Sequence, residues 1–123
     1  EQKRTQHVID EVQRTRRGAK ALRANDIADF GACMTAAHYS LRNLLEVSTD
    51  ELDAIVKAAT DTDGCYGARL TGAGFGGCVA ALVHPRAKAE FEKHVCDTYK
   101  QQAGIQTSVQ WFSPSDGVCE IEL

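Results

Sequence analysis

Apolar positions recur every three or four residues through the first half of the chain and every second residue in short runs beyond it, so the period itself separates a helical half from a mixed one. Val8, Ile9, Val12, Ala19, Ala21 and Leu22 keep roughly helical spacing through a polar, arginine-rich stretch, which predicts an amphipathic helix ending near Arg23. "AND" at 24–26 offers Asn25 as the N-cap of a second helix. Ile27, Phe30, Cys33, Met34, Ala37, Leu41, Leu44 and Leu45 then hold helical period, and this least polar helix is expected to be central. "STDE" at 48–51 reads as a capping box, Ser48 with Glu51, opening a third helix through Leu52, Ile55, Val56 and Ala59.

After the turn residues "DTDGCYGA" come a short strand "ARLT", a loop "GAGFGG" and a buried strand "CVAALV". Pro85 is placed to start a fourth helix, carried by Ala87, Phe91, Val95, Cys96 and Tyr99 to a stop at Gly104. "TSVQWF" alternates as a strand, "SPSDG" turns, and "VCEIEL" alternates again. Three helices, two strands, a helix and two strands in that order predict an α+β fold with a mostly antiparallel sheet and helices packed on one face.

Composition narrows the function classes. A chain of 123 residues, 43% hydrophobic and a quarter charged, fits one soluble domain with one core. The net charge of −3 gives no overall electrostatic reason to expect nucleic acid. Residues 1–25 are nonetheless basic, with seven Lys or Arg against three acids, but no aromatics are interleaved to stack bases. Five cysteines without a C-x-x-C pair signal neither zinc nor redox chemistry and fit a reduced, intracellular chain. No apolar run approaches the ~18 residues of a membrane span, so neither membrane nor nucleic acid is expected as a partner. The N-terminus "EQKRTQHVID" lacks a signal-peptide centre and a methionine and starts inside an amphipathic pattern, so a piece of a longer chain is expected.

The candidate chemistry lies in "GARLTGAGFGGCVAALV", with five glycines in the eleven residues 67–77. Gly72, Gly74 and Gly77 satisfy G-x-G-x-x-G. That fingerprint holds a pyrophosphate only where a helix leaves the loop, and here the exit is a strand. A Walker loop fails for want of its Lys-Ser/Thr pair. What remains is a strand-loop-strand element whose glycines permit positive φ, allow close approach to the backbone and leave N–H groups free to form an anion-binding concavity. An elaborate bulged hairpin is the plainer alternative. Phe75 is the odd residue, since a large apolar side chain in such a loop is expected to pack on something outside it.

The same stretch closely resembles the third signature motif of the kinase superfamily acting on galactose, homoserine, mevalonate and phosphomevalonate, in its galactokinase form. "HVIDEVQR" at 7–14 resembles the helix preceding the C-terminal half of that family, with His7, Val8, Glu11 and Arg14 at the family spacing. "FGACMTAAHYSLRNLLEVSTDELD" at 30–53 is similar to M-N-x-S-H-x-S-L-R followed by E-V-S and Glu-Leu-Asp, with His38, Ser40, Leu41 and Arg42 matching. Thr35 and Ala37 stand where the family has Asn and Ser. "SPSDG" resembles the family's closing Pro-Ser-x-Gly turn.

The resemblance implies that residues 1–123 are a C-terminal domain of ferredoxin-like α+β fold, a two-layer sandwich, from a cytoplasmic enzyme that transfers the γ-phosphoryl of MgATP to the 1-hydroxyl of α-D-galactose. The sugar signature, the serine-rich phosphate loop and the catalytic Asp and Arg belong to the N-terminal half of such enzymes. The implied partner is therefore that half of the same polypeptide, with no catalytic residue and no metal ligand in this chain. Thr71, Gly72, Ala73, Gly74, Phe75, Gly76 and Gly77 would line the ATP-proximal side of the cleft. ATP and Mg2+ serve the intact enzyme, and the isolated segment is expected to be inactive and to hold neither tightly. A kinase for N-acetylgalactosamine and a non-catalytic sugar and ATP sensor share these motifs. His38 is expected to be a hydrogen-bonded core residue rather than a base, Arg42 to pair with Glu46 with a phosphate contact as the alternative, and Arg14, Arg16 and Arg17 to be partly solvated, docking on an acidic surface of the N-terminal half being the alternative.

Overall fold

The computed structural model describes residues 1–118. Four α-helices, α1 Gln2–Arg23, α2 Ile27–Ser40, α3 Asp50–Thr60 and α4 Lys88–Ala103, accompany two strands, β1 Cys65–Thr71 and β2 Cys78–Val83. The strands pair antiparallel, from Cys65 opposite Val83 to Thr71 opposite Cys78, with an irregularity between Cys65 and Gly67. The fold is α+β, as the change of period predicts.

Helix ends follow local chemistry, shifted by one residue from expectation at two places. Asn25 is not the N-cap of α2 but the residue that stops α1, at φ 55°. Its amide donates to Leu22 O at 3.1 Å and that of Asp26 to Ala21 O at 2.8 Å, the paired closure that a left-handed residue allows. Asp26 is the cap, accepting from the Asp29 amide at 3.0 Å. Likewise Thr49, not Ser48, caps α3, its hydroxyl accepting from the Leu52 amide at 3.2 Å. Ser48 is thereby free for another partner. The periodic run beyond α2 continues as one turn of π-helix, Leu41–Leu45, which ends on Glu46 in the left-handed region.

The sheet's covered face carries Ala68 and Leu70 of β1, both almost fully buried. Leu70 packs with Leu41 and Leu52, joined by Leu45, Val47 and Val79. Ala68 packs with Val56, Ala58 and Ala59 of α3 and Phe91 and Val95 of α4. Burying the Leu, Val and Phe side chains among these supplies about 1.5–3 kcal/mol each. Helix α1 packs on α2, where the buried His7 Nδ1 lies 2.8 Å from Ser40 Oγ.

Helix α2 lies along the outer edge of β1. In an antiparallel pair alternate residues turn their polar groups away from the partner strand. The Ala68 amide, so turned, donates to Thr35 Oγ1 at 3.2 Å, and the Leu70 amide donates to His38 Nδ1 at 3.2 Å. Gly31, Thr35 and His38 are spaced four and three apart and share one helix face. The approach is tight: a Cβ on Gly31 would strike the Tyr66 carbonyl, and one on Gly67 would strike the Gly31 carbonyl.

The expected strand at 107–112 departs from prediction. Its alternation is real, with Thr107, Val109 and Trp111 half-buried and their neighbours exposed, but no described strand pairs with it. Val109 and Trp111 pack against the α3–α4 cluster, and Trp111 Nε1 donates to Glu92 at 3.2 Å. Period-two burial records one covered side, which a helix provides as well as a strand. Of the last expected strand, residues 119–123 lie outside the described residues.

Two substitutions test the edge contact. Gly31→Ala should destabilise by about 1–3 kcal/mol in urea unfolding, although Ala is the better helix former by about 1 kcal/mol. Thr35→Val keeps the shape but strands the buried Ala68 amide, and should cost about 1–3 kcal/mol. Gly117→Ala, which meets nothing within 4 Å, is the control and should fall within about 0.5 kcal/mol of the parent.

Candidate functional site

The glycine loop spans residues 72–77 between the last β1–β2 pair. Gly72 at φ 85°, Gly74 at 84°, Phe75 at 59°, Gly76 at 133° and Gly77 at 104° place all but Ala73 in backbone that side chains disfavour. The glycines nevertheless divide in role. Gly74 lies against Val47, whose carbonyl a Cβ would strike, whereas Gly72, Gly76 and Gly77 have nothing within 4 Å. Phe75 donates its amide to Val47 O at 2.7 Å, while its ring is 73% exposed. Among the described residues the expected outside partner for the ring is thus absent, and the loop is anchored by backbone at its tip. The amides of Gly72, Ala73, Gly76 and Gly77 make no backbone hydrogen bond to the described chain. Two shallow hollows run along α1, and neither touches this loop.

Beneath the anchor lies a polar cluster gathered on Asp53. His38 is 1% exposed; because Nδ1 accepts the Leu70 amide, its proton sits on Nε2, which donates to Asp53 Oδ1 at 2.9 Å. Ser48 Oγ donates to the same oxygen at 2.6 Å, and Arg42 Nε pairs with Asp53 Oδ2 at 3.0 Å. Asp53 stands in the first turn of α3, where the helix dipole favours a carboxylate. His38 is therefore the core residue expected of it. Arg42 does not pair with Glu46: that carboxylate is taken by Lys3 at 3.3 Å and Arg4 at 2.8 Å, and Arg42 reaches Asp53 instead. The sequence signal for Asp53 was its place in the Glu-Leu-Asp triplet; that it would gather three donors was not readable from spacing.

The basic cluster is partly solvated, as expected, with Arg16 and Arg17 exposed and Arg14 half-buried. Arg14 pairs with Glu11 on the same helix and Arg17 with Asp29 across to α2. Cys33, Cys65, Cys78 and Cys96 are free thiols, and burial pushes those of Cys65 and Cys96 up, away from thiolate chemistry.

Burial lowers the His38 pKa from its ordinary value of 6.5 against the opposing pull of Asp53, with Arg42 and Arg69 acting in the same direction as burial. Burial and Arg14 lower that of His7 as well. Among the described residues no group of three His, Cys, Asp or Glu side chains is placed to hold a metal ion, and no helix is long and apolar enough to cross a membrane.

These features define the class, an α+β domain that seals a strand edge with a helix and, among the described residues, anchors its glycine loop by backbone at the tip. The chain belongs to the family described as GHMP kinases C terminal, which matches residues 19–101. Its relatives are galactokinases. It is 42% identical to the galactokinase of Roseiflexus sp. (strain RS-1) over 94% of this chain and 29% of that protein. To the galactokinase of Bos taurus it is 44% identical over 86% of this chain and 27% of that protein. The crystal structure of Lactococcus lactis galactokinase complexed with galactose superposes with a TM-score of 0.82 at 39% identity, over 85% of this chain and 27% of that one. That of L. major mevalonate kinase in complex with R-mevalonate gives 0.59 at 27% identity, over 73% and 26%. The chain thus spans under a third of the length of the proteins it matches.

Lowered histidine values carry a sign. The unfolded chain binds protons near pH 6.5 that folded His7 and His38 refuse, so their contribution is complete above that pH and is lost as the pH falls. Urea midpoints should be lower at about pH 5.5 than at about pH 7.5. A His38 ring signal titrating at or above 6.5 in NMR would contradict the assignment.

Proposed function

We propose that residues 1–123 are the C-terminal domain of a cytoplasmic galactokinase, which phosphorylates the 1-hydroxyl of α-D-galactose from MgATP. The loop of Thr71, Gly72, Ala73, Gly74, Phe75, Gly76 and Gly77 forms one wall of its cleft, and the other wall belongs to the N-terminal half of the polypeptide. The observation that carries this reading is the outward set of Gly72, Gly76 and Gly77, which have open space where a Cβ would stand.

Phosphoryl transfer asks a protein chiefly to position the triphosphate, stabilise its charge and exclude water. The loop suits that task. Amides without backbone partners at Gly72, Ala73, Gly76 and Gly77 are donors for an anion, and the missing side chains let phosphate or an opposing loop approach. MgATP supplies the group transferred. In this reading the N-terminal half supplies the cation site and the acid–base and sugar-binding roles. The exposed Phe75 ring supports the same picture, since it has an apolar face to give to the opposing wall.

Of the loop glycines, Gly76 is the informative one to change. Gly74→Val would collide with Val47 inside this domain, so its failure would not separate folding from function. Gly76→Val in the full-length protein meets no atom within 4 Å but forces a side chain into φ 133°, so it should cost about 1–3 kcal/mol of stability and lower kcat/KM for ATP by about 100-fold or more in protein that is still folded at the assay temperature. Galactose binding by the full-length protein without ADP release would overturn the kinase reading in favour of a sensor.

A further inference from the structure

The glycine loop touches the rest of the domain at Val47, which lies in the short link 46–49 between the π turn and α3. Gly74 closes on that residue and the Phe75 amide donates to its carbonyl at 2.7 Å. The link is itself tied at two points. Glu46, in the left-handed region, is held by Lys3 and Arg4 of α1, and Arg4 also donates to Leu44 O. Ser48 donates to Asp53 at 2.6 Å, onto a carboxylate already fixed by His38 and Arg42.

We infer that Asp53, acting through Ser48, fixes the Val47 carbonyl and so the height of the glycine-loop tip, which makes Asp53 and Ser48 positioning residues for the nucleotide wall of the cleft. The functional half of this inference rests on the reading of the loop proposed above. The structural half does not. Asp53 faces His38 and Arg42 as well as Ser48, so its loss would disturb the core, whereas Ser48 is half-buried and links the carboxylate to the link segment alone. A merely structural role therefore predicts a uniform loss of stability. A positioning role predicts an effect confined to the loop.

Amide hydrogen exchange in this chain separates the two. In Ser48→Ala, exchange at Phe75 should quicken about tenfold while the Ala68 and Leu70 amides keep their parent rates, and Ser48→Thr should restore the Phe75 rate. Asp53→Asn should speed Phe75 too, with Ala68 and Leu70 also affected through His38. In the full-length protein, Ser48→Ala should raise KM for ATP about fivefold and leave KM for galactose unchanged. Parent-like exchange at Phe75, or acceleration of Phe75, Ala68 and Leu70 in step, would overturn the anchoring. Faster Phe75 exchange with an unchanged KM for ATP would overturn its link to the nucleotide. A parent protein that makes no ADP would sink the kinase reading, and the exchange experiment would still decide the anchoring.

Discussion

Among the described residues strand β1 pairs with one strand, β2, and helix α2 satisfies its other edge. The Ala68 and Leu70 amides on that edge are buried, and leaving either unpaired would cost about 1–3 kcal/mol. Thr35 and His38 supply the acceptors, and they can do so because Gly31 and Gly67 let helix and strand come together without side chains between them. A sheet edge covered in this way is closed both to solvent and to other chains. The Thr35 hydroxyl supplies a polar acceptor at the position that needs one.

That single contact propagates. Accepting the Leu70 amide commits His38 Nδ1 and leaves Nε2 to donate, which selects a carboxylate as its second partner. Asp53 fills that role, and its remaining capacity draws in Ser48 and Arg42. Ser48 borders Val47, and Val47 receives the tip of the glycine loop. The edge seal and the candidate site are thus joined by hydrogen bonds with named donors and acceptors and by the one peptide link between Ser48 and Val47.

Much of the element order was legible because it follows from local signals. Period near four located α1, α2, α3 and α4, Gly104 stopped the last of them at φ 68°, and Pro85 opened it through a short 3-10 turn, Pro85–Ala87. Local signals misled where two residues competed for one task. Asn25 and Asp26 are both good caps, as are Ser48 and Thr49, and the choice went to the member whose neighbour had other work: Asn25 took the left-handed stop, and Ser48 took Asp53. Arg42 was misassigned for a related reason, since helical spacing to Glu46 ignores the stronger claim of Lys3 and Arg4, which lie far away in sequence.

By itself the sequence determined the helices, the antiparallel pair, the glycine loop and its likeness to a kinase motif, all of which depend on residue type and spacing within a short window. Only the tertiary structure decided that α2 would lie on a strand edge, that 107–112 would pack without a described strand beside it, and that the loop's glycines serve different ends. Gly74 makes room for Val47, and its three neighbours face outward. Four glycines with positive φ look alike along a chain, and what separates them is the atom that occupies the space where a Cβ would be.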